Sequence, residues 1–123
     1  MSNQDVIKWL SEPEEKNYPA AESYLTLLHA VREAKALVRS LRKAKVCQFK
    51  AKDIFRASGL SLLGVSNSRV EKDKQKIKDG VALSPILLVR DSQHGKVVIA
   101  DGYHRLCAVY SFNEDEWIPC KII

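Results

Sequence analysis

Val97-Val98-Ile99-Ala100-Asp101-Gly102-Tyr103-His104-Arg105-Leu106-Cys107-Ala108-Val109-Tyr110-Ser111 is the stretch on which the fold turns. The run Val97–Ala100 reads as a strand. Asp101-Gly102 is turn chemistry. From Tyr103 to Ser111 the residues read as a helix. A helix start carries unpaired N–H groups and a partial positive charge, and a glycine in front of it lets another group approach the backbone. Together these make an anion site. His104 and Arg105 fall in the first turn and add a titratable donor and a permanent planar cation, both suited to phosphate oxygens. Basic residues there oppose the helix dipole, and a bound anion would account for them. The spacing equally allows Arg105 to pair with Asp101 or a nearby acid while His104 merely packs.

Upstream, Pro85-Ile86-Leu87-Leu88-Val89 is apolar on both faces, which predicts a central strand. Asp91–Lys96 reads as a hairpin loop with Gly95 near its end. Downstream, Ile118–Ile123 is a last strand, and Pro119 suggests an edge or a strand start. Val70–Asp79 reads as a short charged helix with Val70 and Ile77 on one face and Gly80 as its stop. Val46–Phe49 alternates like a strand, and Ala51–Arg56 looks like a helical turn. Gly59, Gly64 and Ser66-Asn67-Ser68 mark loops.

The first 45 residues read differently. Val6, Ile7, Trp9 and Leu10 suggest a short helix. Ser11 is then a cap and Pro13 the first turn of a new start. From Pro19 to Ala44, apolar residues such as Leu25, Leu28, Val31, Val38 and Leu41 recur at helical spacing, with a break expected near Ala30–Ala36. Arg32, Lys35, Arg39, Arg42, Lys43 and Lys45 make its second half basic. The expectation is an α/β (α+β) chain: a small mixed sheet of about four strands with short helices over 46–123, plus an N-terminal helical extension over 1–45.

The chain has 123 residues, 46% of them hydrophobic, and a net charge of +5. That composition suits a packed core and argues against disorder. The longest apolar runs are too short to cross a bilayer. The opening Met1-Ser2-Asn3-Gln4-Asp5 shows no secretory signal, so a cytoplasmic location with reduced thiols at Cys47, Cys107 and Cys120 is expected. No Cys or His spacing suggests zinc, and no tightly bound structural metal is expected. Trp9 and Trp117 are read as packing anchors, and His29 and His94 as surface residues without partners.

Ile99-Ala100-Asp101-Gly102-Tyr103-His104-Arg105-Leu106-Cys107-Ala108-Val109-Tyr110, followed by Ile118-Pro119-Cys120-Lys121, resembles the end of a ParB/sulfiredoxin domain. The earlier strands and helices fall in that family's order from about residue 46. Sulfiredoxins read Gly-Cys-His-Arg at this turn, hold ATP phosphates on it, and attack with the cysteine. Here Tyr103 replaces that cysteine, and a phenol with a pKa near ~10 is a poor nucleophile, so the thiol reaction is not carried over. ParB proteins read Gly-Glu-Arg-Arg and bind CTP; Gly102 and Arg105 match the ends of that motif. ParB also needs a following helix-turn-helix region, and with the sequence ending at Ile123 site-specific partitioning is not expected. Related free-serine kinases carry an Asp-Gly-His-type turn, which Asp101-Gly102 resembles at its start.

The resemblance implies a nucleotide-binding domain, with hydrolysis or phosphoryl transfer open. Gly102, Tyr103, His104 and Arg105 would line the phosphate site. Arg69 and Lys72, near the start of the charged helix, would neutralise remaining charge. ATP or CTP with magnesium is the implied ligand. Asp101 is the candidate catalytic residue: it could orient His104, accept a proton or help hold magnesium, or be only a turn residue. For Arg69 and Lys72 the alternative is a solvated lysine face. The competing reading is a non-enzymatic DNA-associated or protein-interaction module acting through the basic N-terminal helix. A homodimer through the N-terminal helices is open, because self-packing and dimerisation would bury the same stripe. No membrane partner is expected.

Overall fold

In a computed structural model, which describes residues 6–62 and 67–123, the chain is a mixed α/β fold. The opening residues 1–5, and Gly64 and Ser66 of the expected loop, lie outside the described residues. The order is α1 (Asn17–Leu25), α2 (Val31–Lys43), β1 (Cys47–Lys50), α3 (Ala51–Ser58), α4 (Ser68–Lys78), β2 (Ile86–Asp91), β3 (Lys96–Asp101), α5 (Tyr103–Phe112) and β4 (Trp117–Ile122). The strands form one sheet in the order β1-β4-β2-β3. β4 runs antiparallel to β1 and parallel to β2, and β2 and β3 form an antiparallel hairpin.

Both faces of the sheet are covered, which is why Ile86–Val89 is apolar without alternation. Ile86, Leu88, Val97, Ile99, Ile118 and Cys120 pack beneath α3, α4 and α5. Leu87, Val89 and Ala100 face the other way, onto Tyr18, Ala21 and Leu25 of α1 and Ala34, Val38 and Leu41 of α2. The N-terminal stripe is therefore used within the chain. The expected long helix breaks at residues 26–30, a few residues before the anticipated break. Leu27, Leu28 and Val31 lie at this corner and are exposed.

Three sequence expectations are corrected. The segment Val6–Leu10 is extended rather than helical. Trp9 bridges in parallel to Leu83, and Leu10 N–H and Leu83 N–H exchange bonds with Leu83 O and Lys8 O at 2.8 Å each. Ile7 is buried and Lys8 exposed, a period of two that four apolar residues so close together had masked. The helix after it begins at Asn17, not near Pro13. β4, in turn, is an inner strand. Pro119 stands opposite Gln48 of β1 and is buried.

Smaller readings shift too. His94 does have a partner, since its Nδ1 lies 2.9 Å from an Asp91 carboxylate oxygen. Trp117 is 52% exposed beside Lys50 and anchors no core. Cys47 and Cys120 face each other across β1 and β4, and burial pushes the Cys120 thiol up.

Lys121 is the unusual buried cation, 3% exposed at the sheet's α1/α2 face. Its Nζ donates to Arg42 O at 2.9 Å and lies 3.1 Å from Glu12. Burial pulls its pKa down, but donation to Tyr18 and Glu12 and their charges outweigh that, leaving it above the lysine value of 10.5. A raised folded pKa stabilises the fold fully below 10.5, and the contribution is lost as pH climbs through the folded value. Lys121→Met should therefore cost about 1–3 kcal/mol at pH 7 by orphaning the Arg42 carbonyl. The gap to the unsubstituted protein should shrink above pH 10.5 in paired urea titrations. A gap that widens there would reject this account.

Candidate functional site

β3 ends at Asp101, and Gly102 turns the chain into α5 with φ +115°. A side chain at Gly102 would place Cβ 2.3 Å from Ile86 Cγ2 and 2.9 Å from Arg105 Nη2. The glycine is thus required first by the close approach of α5 to the central strand. No side chain caps this helix start, and no acid sits in its first turn. At α4, by contrast, the Asn67 side chain accepts from the N–H groups of Arg69 and Val70 at 3.0 and 3.2 Å.

α4 packs against α5, and the two helix starts open on one cleft of about 310 Å³. Arg69 and Lys72 reach it from α4, and Asp101, Gly102, His104 and Arg105 from the β3–α5 turn. All the predicted site residues except Tyr103 share this cleft. The Tyr103 hydroxyl donates instead to the Ser61 carbonyl, and its ring lies 5.6 Å from that of His104. Burial, with Cys107 adding to it, pushes the Tyr103 phenol above 10, so it stays protonated at neutral pH.

Arg105 Nη2 binds Asp101 at 2.9 Å, with the two side chains 15% and 18% exposed. The pairing that spacing allowed is therefore present. It does not exhaust the guanidinium, whose Nε is buried without a hydrogen-bond partner. Asp101 fixes the plane of the arginine, and Arg105 still lines the cleft.

Lys16, Glu14, Asp73, Lys76 and Ser84, outside the predicted set, also line the cleft. Asp73 and Lys76 were legible: Arg69, Lys72, Asp73 and Lys76 follow the helical period on one face. Lys16 and Glu14 were not. They arrive because the buried Ser84, just before β2, accepts from Glu14 N–H at 3.0 Å and donates to Asn17 Oδ1. Five permanent cations (Lys16, Arg69, Lys72, Lys76 and Arg105) thus face three carboxylates. Lys16, Arg69 and Lys72 form no ion pair among the described residues.

Asp73 is the most confined of these acids, its side chain 13% exposed and 3.9 Å from Lys76. Burial raises its pKa above 3.8, partly offset by Lys76, Arg105, His104 and Arg69. Among the described residues, no group of three or more His, Cys, Asp or Glu side chains could hold a metal ion. No helix there is long and apolar enough to cross a membrane. No family model, curated protein or solved structure matches the chain.

Proposed function

We propose that this chain is a ParB/sulfiredoxin-like domain whose cleft binds the phosphates of a nucleotide. One observation carries the reading. Residues predicted from two separate stretches, Arg69 and Lys72 on one and His104 and Arg105 on the other, line a single cleft at an uncapped helix start. The donor set fits a polyphosphate. Backbone N–H groups of α5 and the guanidinium of Arg105 take one phosphate, and Arg69, Lys72 and Lys16 take the charge that remains. Magnesium belongs to this proposal only as an ion carried by the nucleotide's own oxygens. Asp101 is engaged by Arg105 and serves to hold that side chain.

The test is a thermal-shift and calorimetric series with ATP, ADP, CTP and GTP, with and without magnesium. A ligand of the native state raises the melting temperature by linkage. A selective shift is expected. No shift with any of the four would defeat the reading.

Asp73 makes a sharper prediction within the same site. Its carboxylate sits among the cations and repels an incoming phosphate. Asp73→Asn should tighten nucleotide binding by about three- to tenfold at pH 7. Unchanged or weaker binding in calorimetry would count against phosphate at this position.

A second reading has its own observation. α2 and the residues just after it expose Arg32, Arg39, Lys43 and Lys45, none in an ion pair among the described residues. Contact with a nucleic-acid backbone through this face should be steeply salt-dependent and sequence-tolerant. It should survive substitutions in the cleft. Gel shifts with no complex at low salt would remove it.

A further inference from the structure

At the other end of the β2–β3 hairpin from the cleft, the short α3 meets the sheet. With eight residues it spans only Ala51–Ser58. Between it and the sheet lies a trough of about 380 Å³. Leu88, Val97 and Ile122 form its floor, and Ile54 and Phe49 its walls. Phe49 is 38% exposed although it stands on the face that carries the core. Arg90 and Lys96 stand at the rim, and neither forms an ion pair among the described residues. The rim acid Asp53 is engaged by Arg56 at 3.5 Å.

An apolar enclosure of this size with a few convergent polar groups has the make-up of a small-molecule site. Its chemistry is unlike that of the cleft. The walls take hydrocarbon, and among the described lining residues the charges outside an ion pair are two cations, Arg90 and Lys96. A polyphosphate would meet mainly apolar side chains inside, and a neutral hydrocarbon would leave both cations unused. We infer that the trough is a second ligand site, which takes a medium-chain fatty carboxylate with its acyl chain against Leu88, Val97 and Ile122 and its carboxylate between Arg90 and Lys96. The inference does not depend on the cleft binding nucleotide.

The experiment uses the full chain and decanoate, held below its micellar concentration, in calorimetry and in methyl NMR. Saturable one-to-one binding is expected, with shifts at Ala57 and Val97. Decanol should bind more weakly, and Arg90→Gln/Lys96→Gln should lose about fivefold or more in affinity. The charge-matched Arg32→Gln/Arg39→Gln should not change it. Ala57→Trp, placed at an exposed lining position, should fill the trough and abolish binding. Both rim residues are exposed, so thermal melts should show the Gln variants folded. No saturable binding, equal affinity for decanol, or equal loss in the control pair would overturn the proposal. So would a concentration-dependent dimer in sedimentation that Ala57→Trp disrupts, since the trough would then seat a second copy.

Discussion

Gly102→Ala should destabilise the protein by about 3–5 kcal/mol, the largest loss expected from alanine at any of the described glycines. Two costs combine. The backbone at φ +115° is one that L-residues rarely adopt. The added Cβ would also stand 2.3 Å from Ile86 Cγ2 and 2.7 Å from Ile86 Cβ. Ile86 is fully buried on an inner strand and has nowhere to retreat. Gly95→Ala separates the two costs. Gly95 also has a positive φ, +63°, but nothing lies within 4 Å of its would-be Cβ. That variant should lose only about 1–2 kcal/mol, from backbone conformation alone. Urea midpoints for both, at equal slope, make the comparison. If Gly102→Ala costs no more than Gly95→Ala, α5 does not seat on Ile86 as tightly as described. A small total stability makes a 3–5 kcal/mol loss close to unfolding, so the measurement belongs at low temperature.

This glycine also shows where sequence reading succeeds for the wrong reason. Strand, turn and helix around Gly102 were legible because each has a local cause: β-branched residues, Asp-Gly, then a helical run. The glycine was read as room for a ligand. Its tightest neighbour is the chain's own Ile86, an approach set by the β2–β3 pairing and invisible in local pattern. The same limit explains the other misses. Val6–Leu10 is extended because it pairs with Leu83, more than 70 residues away. Glu14 and Lys16 reach the cleft through long-range contacts, among them the Glu14 N–H bond to Ser84. Pro119 sits on an inner strand because β4 inserts between β1 and β2, and strand order is a property of the whole chain. What was legible in the site was its local part. The turn put His104 and Arg105 at one helix start, and the family resemblance pointed to Arg69 and Lys72 near the start of the charged helix. That the two groups meet follows from α4 packing on α5 through Val70 and Ile77, whose spacing had marked a buried face.

Arg69→Ala/Lys72→Ala should weaken nucleotide binding by about a hundredfold while leaving stability within about 0.5 kcal/mol. The two side chains are exposed and make no ion pair among the described residues, so removing them costs the free protein little. In the bound state each would give a charge-assisted hydrogen bond to a phosphate oxygen, and both would be lost together. Arg105→Ala is the less clean experiment. It removes a phosphate donor but also strands Asp101, which is 18% exposed and bonded to Arg105 at 2.9 Å. That variant should lose affinity and about 1–3 kcal/mol of stability at once, leaving the two effects entangled. The α4 pair separates them. Affinity lost with the melting temperature unchanged assigns the cations to the ligand. Affinity retained in the double variant means that the nucleotide, if it binds, does not span the cleft from α5 to α4. The cations would then be a solvated helix face, as their spacing alone had allowed. Salt offers an independent check on the same point. If two or more phosphate contacts are made here, affinity should fall steeply between low and physiological ionic strength, and the double variant should flatten that slope.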